Sequence, residues 1–582
     1  MKIVLSALNA KYVHSNLAVY DLEGYARGQE KNLPLVVREF TINHNLDFIL
    51  QQLYQEKAQV YAFSCYIWNV YEILTIVREL KKVLPDSEIW LGGPEASNDA
   101  ERYLRENAFL TGIILGEGEV TFYELTKVWR NSVGEERDYE SVSGIMYRDS
   151  CGEIKKTGQR PLMSLDDLPF IYCDLSKFEN KILYYETSRG CPYSCSYCLS
   201  SIDKKVRFRG FSLVKGELDF FLEHKVPQVK FVDRTFNCSR EHALQIWRYL
   251  AEHDNGVTNF HFEVAADIIG EEEFEVFQKM RPGLIQLEIG LQSTNPDTIR
   301  EIRRVMDVEK VKKTLLTIRS FGNIHQHLDL IAGLPYEDFQ SFQKSFNDAY
   351  EMRPNQLQLG FLKVLQGSYM GEQVDNYELR YRNHQPYEVL ETKWISYDEI
   401  LVLKKVEEMV EVYYNSDQFE HVLPFVISHF ESPYLFYETL GNYYEKNDLF
   451  GIGFKREARY RALRDFCVEY FQVGKAADDN QETDGAKIIF SMKVFDFLLT
   501  FDFYLREKAK KRPDWAKREK IDKVPGYVHV ERLEKEALSW LPEACEEQGV
   551  REDRDSWEYC LFDYENRNPL TKDARVVFLT KI

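Results

Sequence analysis

Two series of short apolar runs, each alternating with amphipathic segments, constrain the fold of this chain most strongly. In the first series "KIVLSAL", "LPLVVREF", "AQVYAFSC", "SEIWLGG" and "TGIILGEGE" have the pattern of strands, and segments such as "NVYEILTIVRELKKVL" between them have helical spacing. Strands that alternate with helices pack as a parallel, doubly wound sheet of the Rossmann or flavodoxin type. The sequence therefore predicts an α/β domain over residues 1–140, with ligands bound at the carboxyl ends of its strands.

The second series predicts a partial barrel. Candidate strands follow one another from "ILYYETS" to "NQLQLGFLKV", with helical stretches such as "REHALQIWRYLAEH" between them. Six βα units fall short of the eight of a closed TIM barrel, so we expect a partial (β/α)6 barrel of the TIM type over residues 181–375. A connector with a small hairpin over residues 141–180 precedes it. Long helices rich in Tyr, Phe and Glu predict a mainly α-helical C-terminal domain of unknown role over residues 376–582.

Composition and charge argue against two classes of partner. The chain of 582 residues has a formal net charge of -20, whereas nucleic-acid affinity depends on clustered Lys and Arg. The start, "MKIVLSALNAKYVHSN", lacks the apolar core of a signal peptide, and "VFDFLLTFDFYL" is too short to span a bilayer and contains two Asp residues. We therefore expect a cytoplasmic protein with no membrane span and no nucleic-acid partner.

Three of the ten cysteines, Cys191, Cys195 and Cys198, lie within eight residues after the first barrel strand. Iron-sulfur clusters are ordinarily held by four Cys thiolates, and structural zinc sites close with four Cys or His ligands. Three thiolates would leave one iron of a 4Fe-4S cluster open, and catalytic groups in βα barrels lie on loops of this kind. The trio predicts such a cluster, with a zinc site completed by Cys173 or Cys238 as the alternative. The other cysteines are interpreted as small buried hydrophobic residues.

The spacing C-x3-C-x2-C, with an aromatic residue directly before the last Cys, resembles the signature of the radical S-adenosylmethionine (radical SAM) enzymes. This resemblance implies that the open iron binds S-adenosylmethionine and that the reduced cluster cleaves it to a 5'-deoxyadenosyl radical. Four later segments, "FVDRTFN", "FHFEVAAD", "EIGLQSTNPDTIREIRR" and "HLDLIAGLPYE", are similar to the same family in order along the barrel. The resemblance implies contacts to S-adenosylmethionine from Tyr197, Asp233, Glu263, Gln292, Arg304, Asp329 and Ile331, with Ala332 and Gly333 also near the adenine.

The first domain resembles the cobalamin-binding domain of the largest radical SAM subclass in "FSCYIWNV", "IWLGGPEAS" and "IILGEGEVTFYEL". The resemblance implies cobalamin contacts at Ser64, Gly92, Gly93, Glu117 and Gly118. From the residues alone, these glycines could equally form tight βα turns. The loop after the first strand lacks the Asp-x-His-x-x-Gly motif of cobalamin methyl-transfer domains. Tyr12 and Leu17 stand where Asp and Gly would flank His14, so the lower axial ligand stays undefined, and we expect His14 to have a surface or capping role.

The two resemblances together imply an enzyme that uses a 4Fe-4S cluster, S-adenosylmethionine and cobalamin. Methylation of an unactivated carbon is the leading expectation, with an electron donor such as flavodoxin or ferredoxin as partner. The alternatives are a radical SAM cyclase or oxidase, a methylthiotransferase, and a non-catalytic cobalamin or redox sensor. The substrate and any catalytic side chain cannot be identified from the sequence.

Overall fold

The architecture is described from a computed structural model over residues 1–131, 137–453, 455–477, 490–506, 508–509, 511–516, 526–541, 556–568 and 571–581. No helix in these ranges is both long enough and apolar enough to cross a lipid bilayer.

The N-terminal region is a doubly wound sheet, as predicted. Its parallel strands are β1 (Ile3–Asn9), β2 (Leu35–Thr41), β3 (Val60–Ser64), β4 (Glu88–Gly92) and β5 (Gly112–Ile114), and its helices are α1 (Leu17–Gln29), α2 (Leu46–Glu56), α3 (Val70–Val83), α4 (Pro94–Asn98), α5 (Ala100–Glu106) and α6 (Glu119–Asn131). The strand order β2-β1-β3-β4-β5 is that of flavodoxin-like sheets. Alternate residues of β1 enter two different apolar cores, Leu5 on one face and Val4 on the other, because both faces are covered by helices.

The hairpin predicted within the connector is part of this first sheet. Its strands β6 (Ile145–Arg148) and β7 (Ile154–Lys156) add to the edge of β5 in antiparallel pairing. The sequence of the hairpin did not indicate this pairing, because a hairpin pattern does not show which strand of a sheet the hairpin will join.

The central region is an open sheet of six parallel strands in the order β15-β14-β13-β12-β11-β8. The strands of this region are β8 (Leu183–Tyr185), β9 (Ser188–Arg189), β10 (Arg207–Phe208), β11 (Gln228–Phe231), β12 (Asn259–Val264), β13 (Ile285–Gln292), β14 (His325–Ala332) and β15 (Gln356–Phe361), and the helices are α7 (Phe211–Glu223), α8 (Arg240–Glu252), α9 (Glu271–Phe277), α10 (Pro296–Glu301), α11 (Val308–Phe321) and α12 (Phe339–Glu351). Helix α11 shows why such elements begin and end where they do: Asp307 caps its first turn, and Gly322, at φ 69°, ends it. The partial (β/α)6 barrel is confirmed, and β9 and β10 form a separate two-stranded ribbon.

The C-terminal region is mainly helical and also contains a small sheet. Its elements are α13 (Tyr369–Glu372), β16 (Arg380–Tyr381), β17 (Val389–Glu391), α14 (Tyr397–Met409), α15 (Val422–Ile427), α16 (Pro433–Lys446), α17 (Arg456–Ala477), α18 (Met492–Arg506), β18 (Val528–Arg532), β19 (Tyr559–Arg567) and β20 (Ala574–Leu579). The last three strands pair antiparallel in sequence order. The apolar core of this region is continuous with that of the barrel, so the helical domain packs directly on the barrel.

Candidate functional site

The three predicted cluster cysteines lie on a loop closed at its base by the β9–β10 ribbon. Arg189 pairs with Arg207 across this ribbon, and residues 190–206 form the loop between the two strands. Gly190 has φ 99°, and a Cβ atom there would lie 2.7 Å from the carbonyl oxygen of Lys205. Only glycine fits this position, which lets the backbone turn at once into Cys191, whose N–H donates to the Asp203 carbonyl at 3.0 Å.

The cysteine side chains are placed in a part of the protein that suits an iron-sulfur cluster. Cys191 and Cys195 are buried, and Arg304 lies 3.9 Å from the Cys195 sulfur. Burial raises the pKa of the Cys195 thiol, while the charge of Arg304 acts in the opposite direction. A buried thiol of this kind becomes a thiolate when a metal holds it. The donor set therefore fits the predicted cluster.

The two cysteines of the zinc alternative lie in different places. Cys238 is close enough to Cys191 for that thiol to contribute to the raised pKa of Cys238, after burial as the larger cause. Among the described residues, no group of three or more His, Cys, Asp or Glu side chains is arranged to hold a metal ion, and this applies to the trio with or without Cys238. Cys173 is exposed and its thiol lies 3.5 Å from the Phe170 carbonyl, in the connector. Cys65, Cys467 and Cys560 are buried, as we expected of scattered cysteines, whereas Cys151 and Cys173 are exposed and Cys238 is half-buried; Cys545 lies outside the described residues.

Gln292 and Arg304, two of the predicted S-adenosylmethionine contacts, meet beside Cys195. Strand β13 carries an irregularity between Gly290 and Gln292, and Gln292 has φ 71°, which is strained for a residue with a side chain. Arg304 donates to the Gly290 carbonyl and, at 3.3 Å, to the hydroxyl of Tyr197. A Cβ atom at Gly290 would lie 2.3 Å from the Gln292 amide nitrogen, so this glycine makes room for the amide.

This corner of the barrel has unmet hydrogen-bonding capacity. The Gln292 Oε1 atom and the Arg304 Nε atom are both buried, and neither has a hydrogen-bond partner among the described residues. Buried polar atoms are nearly always paired, so unpaired ones next to a strained residue indicate the place of a polar ligand. The acceptor and the donor fit the ammonium and carboxylate groups of an amino acid such as the methionine part of S-adenosylmethionine.

Asp233 has a different position from the one that the sequence led us to expect. It is fully buried and accepts hydrogen bonds from the Thr187 N–H at 3.0 Å, the Thr187 hydroxyl at 2.7 Å and the Ser188 hydroxyl at 2.6 Å. Burial raises its pKa to about 6, although these hydrogen bonds act in the opposite direction. Asp233 thus ties β11 to the start of the cysteine loop, which favours a positioning role over direct contact with S-adenosylmethionine.

The remaining predicted contacts, Glu263, Asp329 and Ile331, lie on the inner face of the barrel sheet. Strand alternation gives this face a set of polar residues in adjacent rows, among them Lys230, His261, Glu263, Glu288, His327 and Asp329. Lys230 and His261 contact the same Glu288 oxygen at 2.9 and 2.8 Å, and His327 lies 3.1 Å from Asp329. Burial alone would raise the pKa of Glu288, but His261 and Lys230 hold it below its usual value.

Glu263 should make folding stability depend on pH. Burial, and then the charge of Glu288, raise its pKa to about 7, so the folded protein binds this proton more tightly than the unfolded chain does. Its stabilising contribution is therefore complete at acid pH and is lost as pH rises through about 7. Glu263→Gln should be more stable than wild type at pH 8 by roughly 1–3 kcal/mol, with no difference at pH 4. Thermal unfolding at both pH values measures this, with the exposed Glu275→Gln as control; equal unfolding temperatures at pH 8 would contradict it.

The predicted cobalamin residues lie at or just after the carboxyl ends of β3, β4 and β5. We call this side of the first sheet the cobalamin edge. Ser64 and Gly92 are paired residues at the ends of β3 and β4. Gly93 has φ 94°, and a Cβ atom there would lie 2.5 Å from the Cys65 carbonyl, so the turn itself requires this glycine. Gly118 packs close to Leu22. The edge is therefore built from close-packed backbone, as a large flat ligand requires, although the turn geometry alone also accounts for Gly93.

Glu117 joins the cobalamin edge to the cysteine loop. Its carboxylate pairs with Arg207, lies 3.6 Å from Arg189, and accepts a hydrogen bond from the Met163 N–H at 3.3 Å. Burial alone would raise its pKa, but the two arginines hold it below the usual value. Arg189 also pairs with Glu119 at 2.8 Å. The side chain of Glu117 is thus committed to the base of the cysteine loop, and no sequence pattern indicated these arginine partners.

Two further features at this edge were missed or left open by the sequence. Tyr66 and Trp68 stack with their ring centroids 4.3 Å apart, and Trp68 remains exposed. Two aromatic residues soon after a strand could have been recognised from the sequence, because such a position places flat apolar rings at the carboxyl end of the sheet, where ligands bind. The Nδ1 atom of His14 lies 2.7 Å from the hydroxyl of Tyr184 on β8, and burial lowers the pKa of His14. His14 therefore faces the barrel through Tyr184, and is not the surface or capping residue that we expected.

Comparisons with known proteins match all three regions. The model of the radical SAM superfamily matches residues 185–349, the B12 binding domain model matches residues 4–126, and a family described as protein of unknown function (DUF4080) matches residues 375–567. The chain therefore contains a B12 binding domain, a radical SAM domain and a C-terminal region of the DUF4080 type, in that order. The first two are the domains that the sequence predicted.

Individual relatives are distant. The cobalamin-dependent radical SAM methyltransferase TokK of Streptomyces tokunonensis is 26% identical over 56% of this chain and 50% of its own length. The anaerobic magnesium-protoporphyrin IX monomethyl ester cyclase of Rubrivivax gelatinosus is 21% identical over 57% of this chain and 61% of its own length. The solved structure of OxsB, a cobalamin-dependent S-adenosylmethionine radical enzyme with aqua-cobalamin and S-adenosylmethionine bound, shares the fold with a TM-score of 0.57 and 15% identity, covering 86% of this chain and 83% of that chain. The chain spans about half the length of the curated methyltransferases it matches.

Proposed function

We propose that this protein is a cobalamin-dependent radical SAM methyltransferase that acts on an unactivated carbon of its substrate. The observation that carries the proposal is the cysteine loop beside the unpaired, buried atoms of Gln292 and Arg304. When bound, the cluster and S-adenosylmethionine would supply a carbon-centred radical, and cobalamin would supply the methyl group. Among the curated relatives, several are methyltransferases by name, which supports this reaction over cyclisation.

The chain's own residues then have separate roles. Cys191, Cys195 and Cys198 hold the cluster, while Gln292 and Arg304 orient the amino-acid part of S-adenosylmethionine. Tyr197 lies beside both Cys195 and Arg304. The members of the proposed set on the barrel strands are Glu263 on β12 and Asp329 and Ile331 on β14. Ser64, Gly92, Gly93 and Gly118, with the backbone of Glu117, form the edge on which cobalamin rests. We further propose that the protein works in the cytoplasm, where thiols stay reduced, with an electron donor such as flavodoxin or ferredoxin.

The inner face of the barrel favours a hydrophilic substrate. Glu263 would lose hydration against an apolar chain, and a buried carboxyl group without a polar partner is costly. A substrate with its own hydrogen-bonding groups replaces that hydration. The polar inner face thus argues against a purely hydrocarbon substrate.

The proposal is tested with reconstituted protein that contains cobalamin, under anaerobic reducing conditions, with S-adenosylmethionine labelled in its methyl group. We expect formation of both 5'-deoxyadenosine and S-adenosylhomocysteine, with the label recovered in the corrinoid fraction. Samples without reductant and samples without cobalamin are the controls. Formation of 5'-deoxyadenosine alone would favour a cyclase or oxidase, and bound cobalamin with neither product would favour the sensor.

A further inference from the structure

Residues 365–391, which we call the strap, connect the last barrel strand to the C-terminal helices. The strap contains α13, β16 and β17, and most of it falls within the region that matches the family of unknown function. It is rooted on the barrel by hydrogen bonds from the Val364 N–H to the Tyr387 carbonyl at 3.0 Å and from the Val389 N–H to the Leu362 carbonyl at 2.8 Å. It therefore follows the carboxyl end of the barrel sheet, where the cysteine loop lies.

One half of the strap contacts the cysteine loop. The N–H of Met370 donates to the carbonyl of Ser196 at 2.8 Å, and Ser196 lies between Cys195 and Tyr197. The guanidinium of Arg303 lies 3.5 Å from the ring centroid of Tyr369. These contacts fix the strap against the backbone that carries the predicted cluster ligands.

The other contacts of the strap reach the first domain at helix α4. Glu95, in the first turn of α4, is buried and accepts hydrogen bonds at Oε1 from the hydroxyls of Tyr103 and Tyr387, each at 2.6 Å. Gln385 donates to the same oxygen at 3.3 Å. At the far end of α4, Gly367 lies against Asn98, since a Cβ atom at Gly367 would be 3.5 Å from that side chain.

Helix α4 begins directly after Gly92 and Gly93, the residues proposed to support cobalamin. A buried carboxylate with three donors is a specific contact, because removal of one donor leaves a buried acceptor underpaired. Two of its three donors come from the strap, so the strap holds this end of α4. The same strap is hydrogen-bonded to the cysteine loop, and therefore links the two cofactor sites.

We propose that the strap is a positioning element that sets the separation of the cobalamin edge from the cysteine loop, with Tyr387 and Glu95 as its contact pair. This inference rests on the proposed function for the identity of the two cofactors. It assigns a role to the first segment of the C-terminal domain: that segment holds α4 and the Gly-Gly turn in register with the cluster loop.

Tyr387→Phe tests the proposal, because it removes the hydroxyl that donates to Glu95 and accepts from Gln385, and leaves the ring in place. In the full chain with a reconstituted cluster, we expect binding of hydroxocobalamin, measured by absorbance titration, to weaken about tenfold. After reduction, cob(II)alamin and the cluster are both paramagnetic, so pulsed dipolar spectroscopy reports the distance between them. We expect a narrow distribution in wild type and a broadened or shifted one in the variant, with S-adenosylmethionine affinity unchanged.

The control is Tyr71→Phe, on the exposed surface of α3, which should match wild type in both measurements. If Tyr387→Phe does not fold, Gln385→Ala should change both measurements in the same direction, because it removes the hydrogen bonds that the Gln385 amide donates to Glu95, Tyr103 and Tyr387 at 3.3, 3.1 and 2.7 Å. A wild-type distance distribution and wild-type cobalamin affinity in the strap variant would overturn the proposal, as would failure of the wild-type chain to bind hydroxocobalamin. Wild type that binds cobalamin but forms no 5'-deoxyadenosine would contradict the proposed function alone and leave the distance comparison decisive for the strap.

Discussion

Replacement of Cys195 by alanine should abolish the iron-sulfur absorbance of the reconstituted protein and reduce 5'-deoxyadenosine formation to background. Cys195 is buried beside Arg304, and its loss would leave two thiolates to hold the cluster. Changes in groups that only support metal ligands typically cost about 10 to 100-fold, so loss of a ligand should cost at least about a hundredfold. Iron content, absorbance and product formation measure the effect.

Two matched variants give the controls for this prediction. Cys173→Ala changes an exposed thiol in the connector and should retain iron and product formation. Cys238→Ala should also retain them, because three ligands suffice when the fourth position belongs to S-adenosylmethionine. Loss of the metal in Cys238→Ala, or zinc in place of iron in the wild type, would favour a closed zinc site and contradict the account.

Arg304→Lys should weaken S-adenosylmethionine binding by about 10 to 100-fold while the cluster is retained. The planar guanidinium reaches the Gly290 carbonyl, the Tyr197 hydroxyl and the Cys195 sulfur at once, and it still has an unpaired buried Nε atom. A lysine ammonium cannot reproduce the planar set of donors of a guanidinium. The Gly290 carbonyl would therefore lose its hydrogen-bond donor, and so would the carboxylate of S-adenosylmethionine.

Equilibrium binding of S-adenosylmethionine to the reconstituted, oxidised protein measures this effect without turnover. Arg300→Lys is the matched control, because Arg300 is exposed on α10 and pairs with Asp297 of the same helix. Unchanged affinity in Arg304→Lys would show that the guanidinium serves only the packing of the loop.

The sequence predicted those parts of the molecule that depend on local pattern. Alternating apolar runs indicated the strands of both sheets, because strand and helix periods are properties of short segments. The cysteine spacing indicated the cluster loop for the same reason. The doubly wound form of the first sheet and the open form of the barrel also followed from the number and spacing of the βα units, whereas the strand order of the first sheet was left open between the Rossmann and flavodoxin types.

The sequence did not predict side-chain partners that are distant along the chain. Glu117 was expected to face cobalamin, yet its carboxylate pairs with Arg207, 90 residues later. Glu95 gave no signal at all, and its partner Tyr387 lies 292 residues away. Asp233 stood in a recognisable motif, but its three donors come from Thr187, between β8 and β9, and from Ser188, which begins β9. The hydrophobic period of a segment shows which face of a strand or helix a residue occupies. The side chain that it contacts on another element depends on how whole domains pack.

The central claim is that three cysteines leave one iron free for S-adenosylmethionine. Electron-nuclear double resonance of the reduced cluster, recorded with S-adenosylmethionine labelled with ¹⁵N in its amino group, tests this claim most directly. The account predicts a resolved ¹⁵N coupling to the cluster, which is lost in Cys195→Ala together with the cluster itself. A reduced cluster whose spectrum is the same with and without S-adenosylmethionine would contradict it.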